Sequence, residues 1–179
     1  MSSIYEPIIS EITAFQKRFF LIPELWEKFK FDDLSNVDFE KWKKIKLMDD
    51  KGDFLANEIK KIPTHHGGIY IYCVQSNIVN NFDSYVMYVG MAQKTGTQNL
   101  RKRVSSYKSE IGSGYTRDRI HNLFIRWGKY VYVYYLPINS DNKTIEELET
   151  RLIGCLVPPC NAEIQDASVK RKVKAFAEF

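Results

Sequence analysis

Wound as a helix at about 100° per residue, the stretch KTIEELETRLIGCL (Lys143 to Leu156) gathers Ile145, Leu148, Leu152, Ile153, Cys155 and Leu156 on an arc of about 160°. Glu146, Glu147, Thr150 and Arg151 fall outside the arc, as solvent-facing residues should. Glu149 does not: it lies near the middle of the apolar stripe, one turn after Ile145 and one turn before Ile153. A carboxylate held against a core shifts its pKa, takes a basic partner or binds a metal ion. The helix alone leaves all three open.

Charge provides the second chemical signal. The whole chain carries +4, but residues 94–129 hold nine basic side chains (Lys94, Arg101, Lys102, Arg103, Lys108, Arg117, Arg119, Arg126, Lys129) against Glu110 and Asp118, a local +7. Residues 1–61 sum to −1. One segment therefore carries more than the whole excess, as a surface facing a polyanion requires. A solvated helix face that happens to be basic gives the same count.

The remaining metal-ligand candidates are sparse. Cys73, Cys155 and Cys160 have no CxxC spacing and build neither a disulfide framework nor a four-ligand zinc site; they read as buried apolar residues in a reducing, intracellular setting. His65 and His66 are adjacent and, in extended chain, point opposite ways, so exposed imidazoles at a turn are expected. His121 stands alone. No apolar run reaches membrane-spanning length, and MSSIYEPIISEITAF has neither a basic n-region nor an apolar h-region.

The elements that must position these groups follow from periodicity. Residues 1–62 read as a helical extension with Ser10 as an N-cap, a restart after Pro23, and a third helix through SNVDFEKWKKIKLM with Val37, Phe39, Trp42, Ile45 and Leu47 or Met48 at helical spacing. Its aromatics (Phe15, Phe19, Phe20, Trp26, Phe29, Phe31, Phe39, Trp42) are expected in a core. After PTHHGG the pattern changes to strand: GIYIYCV and SYVMYVG form an antiparallel pair across the loop QSNIVNNFD. A basic helix from about Gln98 to Lys108 follows, then a helix ending at Gly128, a strand KYVYVYYLPI apolar on both faces, and the helix carrying Glu149. Thr144 with Glu147 forms a capping box, and Pro158-Pro159 stops that helix. The tail is basic and weakly amphipathic. The expected fold is α+β: a small three-stranded antiparallel sheet flanked by helices over residues 63–179, with a basic insertion at about 108–130.

Taken in order, these residues resemble the GIY-YIG nuclease family. Gly68-Ile69-Tyr70 and Tyr88-Val89-Gly90 are similar to its two signature tripeptides, Arg103 in LRKRV to its helix arginine, and Glu149 with Asn161 in ETRLI…PPCN to its glutamate and the end of the motif. The resemblance covers roughly residues 67–161. It implies Mg²⁺- or Mn²⁺-dependent hydrolysis of phosphodiester bonds in DNA, with Tyr70 as general base, Tyr88 orienting water or phosphate, Arg103 on the phosphate and Glu149 as single protein ligand to a mostly hydrated metal. A tyrosine near its ordinary pKa of about 10 is a poor base, so a metal or Arg103 must favour the phenolate. Asn161 is expected to hold the end of its helix rather than touch substrate, and the apolar stripe around Glu149 to pack toward the sheet of Tyr70 and Tyr88.

Two features depart from the family pattern. Many members carry histidine four residues after the arginine; here Tyr107 stands there. The intervals are also long, and the insertion with Lys108, Arg117, Arg119 and Arg126, beside Lys94, Arg101 and Lys102, is expected to contact double-stranded DNA, partly through phosphates. Arg101 replaces Arg103 if the helix phase differs. A stand-alone, cytoplasmic restriction or defence enzyme fits; a palindromic target would need a homodimer or repeated visits by one copy. The alternatives are a non-cleaving DNA-binding protein of the same fold and an RNA-directed nuclease.

Overall fold

The computed structural model describes residues 16–29, 31, 37–79, 83–113, 118–161 and 163–177. Its framework is an antiparallel sheet of β1 (Lys43–Lys46), β2 (Gly67–Gln75), β3 (Ser84–Ala92) and β4 (Val131–Ile138), in the order β1-β4-β2-β3. The described helices are α1 (Pro23–Lys28), α2 (Ala56–Ile59), α3 (Leu100–Ser113), α4 (Asp118–Trp127), α5 (Asn142–Leu156) and α6 (Ala167–Ala177).

The sheet has four strands, not three. The fourth comes from the segment read as a third N-terminal helix: Phe39–Lys41 is a short 3₁₀ turn, and KKIK then pairs with β4, Ile45 opposite Val133. The misreading has a physical cause. Phe39 and Trp42 pack on one face of the sheet while Ile45, Leu47 and Met48 pack on the other, so their spacing mimics one helical stripe while serving two surfaces. Lys43 and Lys44 stay exposed along this edge, where charge discourages further strand pairing.

β2 is central and covered on both faces, which explains its uninterrupted apolar run. Strand alternation sends Tyr70 and Tyr72 to one side with α3 (Leu100, Val104, Tyr107) and α4 (Ile120, Leu123, Phe124). It sends Ile69, Ile71 and Cys73 to the other, against Ile145, Leu148, Leu152 and Cys155 of α5. A register shift between Tyr72 and Cys73 leaves Met87 as an extra residue in β3, so that Met87 and Tyr88 both face the tyrosine side. A third, smaller cluster joins Ile22 and Leu25 to Val157 and Val169.

Other expectations met mixed outcomes. Ser10 and Phe15 lie outside the described residues, and residues 16–22 are not helical. Phe19 and Trp26 are 37% and 47% exposed rather than core, whereas Phe29, Phe31, Phe39 and Trp42 pack against the second cluster. The Thr144–Glu147 capping box gives way to Asp141, whose carboxylate accepts from Thr144 N at 2.9 Å, so that α5 starts at Asn142, two residues before Thr144. α5 closes with Val157 in the left-handed region (φ 44°), immediately before Pro158.

Gly68, the second residue of β2, pairs with Ala92 of β3 and Pro137 of β4. Its φ is +145°, and a Cβ there would lie 2.1 Å from the Leu136 carbonyl oxygen. Gly68→Ala is expected to destabilise the fold by about 2–4 kcal/mol, read from the midpoint of denaturant unfolding. A wild-type midpoint would show that this strand end relaxes without cost.

Candidate active site

Period-two alternation in β2 and helical spacing in α3 assemble the site. Tyr70 and Tyr72 stand on one face of β2; Arg103, Ser106, Tyr107 and Glu110 share one face of α3 by their three- and four-residue spacing. Tyr70 and Tyr107 share a hydroxyl–hydroxyl hydrogen bond of 2.7 Å. Arg103 Nη2 donates to the Tyr107 hydroxyl at 3.2 Å and Nη1 to Glu110 Oε1 at 3.1 Å, while the guanidinium carbon lies 4.8 Å from the Tyr107 ring centre. Tyr88 packs against the same group, its ring centre 6.2 Å from that of Tyr70. Its ring stacks on Tyr72 with centroids 5.8 Å apart. The structure thus brings Tyr70, Arg103 and Tyr107 into one hydrogen-bonded group, with the Tyr88 ring packed against Tyr70 and Tyr72.

The glycine of YVG has a steric reason to be there. Gly90 lies opposite Tyr70, and a Cβ on it would fall 2.5 Å from both Cζ and the hydroxyl oxygen of Tyr70. The phenol therefore crosses directly over the edge strand β3.

Burial dominates the electrostatics. Tyr70 and Tyr107 are each 1% exposed, whereas the side chains of Arg103 and Glu110 keep 24% and 31% exposure and form the wet end of the cluster. Desolvation, reinforced by the neighbouring tyrosines, holds the Tyr70 and Tyr72 hydroxyls well above the ordinary phenol range, and burial raises Tyr107 likewise. Burial alone would lower Arg103, but Tyr70, Tyr107 and Glu110 outweigh it and leave the guanidinium above its usual value. Among the described residues the buried Tyr72 hydroxyl has no hydrogen-bond partner.

Glu149 comes from the other side of the sheet. The stripe it belongs to packs on the sheet carrying Tyr70 and Tyr88, as expected, but on the opposite face, because alternation puts Ile69, Ile71 and Val89 there. Glu149 is half-buried and lines a cleft of about 750 Å³ with Met91 of edge strand β3, Lys143, Glu146, Thr150 and Gln165. One carboxylate in an open cleft suits a cation that keeps most of its waters, as Mg²⁺ does. A cation requiring three protein ligands is not served: no group of three His, Cys, Asp or Glu forms among the described residues.

Asn161 holds the chain at β3. Its Oδ1 accepts from Val89 N at 2.9 Å and its Nδ2 donates to Val89 O at 2.8 Å, occupying both outward backbone groups between Tyr88 and Gly90. Cys160 N donates to Met87 O at 2.9 Å, and Arg119 Nη1 to Asn161 O at 2.8 Å.

The basic residues divide by engagement. Arg101 lies away from the phenols; its Nε and Nη2 donate to the carbonyls of Ile62 and Lys60, both at 2.5 Å, stapling α3 to the turn after α2. Lys102 donates to Thr97 O at 3.0 Å. Lys94, Lys108 and Arg119 are exposed, Arg126 is half-buried and Arg117 lies outside the described residues. His65 and His66 do not diverge: a bend at residues 64–65 brings their rings to a centroid distance of 4.2 Å. The sequence reading missed Tyr72, Ser106 and Glu110; the last two were discoverable from their spacing to Arg103.

A model of the GIY-YIG catalytic domain matches residues 66–158, just over half of the chain. No curated protein and no solved structure matches it.

Two outcomes follow from this geometry. Phenols with raised folded pKa values favour the folded state fully below the unfolded value of about 10, and this contribution is lost as pH climbs through the folded values. Stability should therefore fall steeply above about pH 10, and Tyr70→Phe should flatten that fall in a pH series of thermal melts; an equally steep fall in the variant would assign it elsewhere. Asn161→Ala strips both partners from Val89 and should cost about 1–3 kcal/mol in denaturant unfolding, with an unchanged midpoint counting against the clamp.

Proposed function

Since this chain belongs to the GIY-YIG family of nucleases, we propose that it is a divalent-metal-dependent DNA endonuclease that hydrolyses phosphodiesters at the Tyr70–Tyr88–Arg103–Tyr107 cluster. The observation that carries the reading is the hydrogen-bonded group of two phenols and one guanidinium within the matched domain, with the Tyr88 ring packed against it. Hydrolysis needs a group to take a proton from water and a cation against the non-bridging oxygens, and the cluster offers both.

In this reading Arg103 binds the phosphate. Its Nη1 holds Glu110, so the phosphate competes with that carboxylate for the guanidinium fork, which suits phosphate geometry. Tyr70 accepts the proton of the attacking water, whose oxygen forms the new bond to phosphorus as the bond to the leaving oxygen breaks. The phenolate is opposed by burial and by the neighbouring tyrosines, and favoured by the Arg103 charge. Tyr88 orients water or phosphate, and Tyr107 bridges Tyr70 and Arg103 at the position where relatives carry histidine. Glu149 would hold the Mg²⁺ or Mn²⁺, whose Lewis acidity serves the leaving oxygen. Asn161 keeps β3, and so Tyr88 and Gly90, in place.

Duplex DNA as substrate is supported by the basic run 94–129, with Lys94 and Lys108 exposed and Arg101 and Lys102 adding charge while bonded to backbone carbonyls. Three buried free thiols suit a reducing cytoplasm. A restriction or defence role, with two copies on a palindromic site, completes the proposal. Among the described residues no helix is long and apolar enough to cross a membrane.

Purified protein is expected to nick or cut plasmid DNA with Mg²⁺ or Mn²⁺. Glu149→Ala should abolish cutting while retaining most DNA binding, whereas Arg103→Ala should lose rate by about 10²-fold or more together with affinity. Gel assays of cleavage beside anisotropy of binding check both. Wild-type binding with no cleavage of duplex, single-stranded DNA or RNA under either metal would favour the non-cleaving alternative.

A further inference from the structure

Lys17, Arg18, Arg119, Lys170 and Lys174 line one cleft of about 630 Å³, where Glu163 is the one acidic lining residue among the described residues. The walls are residues 16–20, the turn Pro158–Asn161, and α6. Apart from Arg119, none of these cations lies within the segment that matches the family, residues 66–158.

The packing fixes which side of α6 is presented. Val169 is buried, and Val173 packs beside it, against Ile22, Leu25 and Val157. Asp166 anchors the start of the helix: it accepts from Val169 N at 3.1 Å and from Lys28 Nζ at 2.7 Å. The helix carries Lys170, Arg171, Lys172 and Lys174 and no acidic residue. On the opposite wall the Lys17 ammonium stands 5.7 Å from the Trp127 ring centre, at the end of α4.

The cleft also adjoins the reaction centre. Asn161 lines it, and the same side chain grips Val89 between Tyr88 and Gly90. We infer that this cleft clamps the sugar–phosphate backbone of the duplex that flanks the scissile bond. Its choice of polyanion rests on the nuclease reading: a backbone emerging past the β3 edge runs directly into a cationic trough, and duplex DNA presents about one charge per 1.7 Å of axis. Three of the five cations are lysines, point charges without bidentate geometry, so the clamp adds affinity and register and reads no bases.

The test compares wild type with Lys17→Gln/Lys170→Gln/Lys174→Gln on a duplex of about 30 base pairs, by anisotropy over a salt series with metal chelated. Because Lys17 packs over Trp127, Lys170→Gln/Lys174→Gln is measured alongside; both of its sites are exposed. The triple variant should bind about tenfold or more weakly, on unrelated sequences alike, with the slope of log K against log salt shallower by about three, and the double variant by about two. Unchanged affinity and slope overturn the clamp. Tighter wild-type binding to polyglutamate than to duplex at equal salt also overturns it, in favour of an acidic protein. Cleavage is scored separately with Mg²⁺: a wild type that cuts while the variants keep their slope sinks the clamp alone. A wild type that cuts nothing while the variants lose slope sinks the nuclease reading alone.

Discussion

The covering of β2 on both faces is the constraint from which the rest of this molecule follows. A strand alternates with period two, so a central strand must send consecutive residues to different cores. Here that rule sends Tyr70 and Tyr72 to α3 and α4, and Ile69, Ile71 and Cys73 to α5. The phenols and the helix that carries Glu149 are thereby separated by the thickness of the sheet. Whatever they do jointly must happen at the edge, at β3, where Gly90 lets the Tyr70 phenol cross over the strand and Met91 borders the Glu149 cleft.

That arrangement gives the cluster a dry end and a wet end. The rings of Tyr72, Tyr107 and Phe124 pack edge to face or tilted at centroid distances of 5.2 to 6.2 Å and shut water out from the α4 side. Arg103 and Glu110 keep contact with solvent. Glu110 neutralises much of the charge that Arg103 brings to this dry surface. Burial favours the protonated phenols, and the Arg103 charge opposes it without overcoming it.

Much of this was legible in the residues. β2, β3 and β4, the basic helix, the helix bearing Glu149 and the ordered set Tyr70, Tyr88, Arg103, Glu149 and Asn161 all follow from periodicity and motif order. What failed shares a cause. Ile45 and its neighbours showed helical spacing because they serve two faces of a sheet edge, and spacing does not record how many surfaces a segment touches. The face on which α5 lies was equally hidden, since a stripe shows that a helix packs and not on which side. Asp141 displaced the expected Thr144 cap because it stands one position before the first helical residue, where a carboxylate reaches the open N–H groups. His65 and His66 misled through the assumption of extended chain, which the bend at residues 64–65 breaks.

The asparagines at the β3 edge have a consequence for association. Asn161 takes both outward backbone groups of Val89, and Asn142 does the same just beyond the strand, accepting from Lys94 N at 2.8 Å and donating to Lys94 O at 3.3 Å. An incoming strand would need those same groups to extend the sheet. At the far edge, exposed Lys43 and Lys44 repel their own kind. The sheet is thus closed to growth at both ends by different chemistry, so an open four-stranded sheet with aromatic strands is kept from stacking into ribbons of itself.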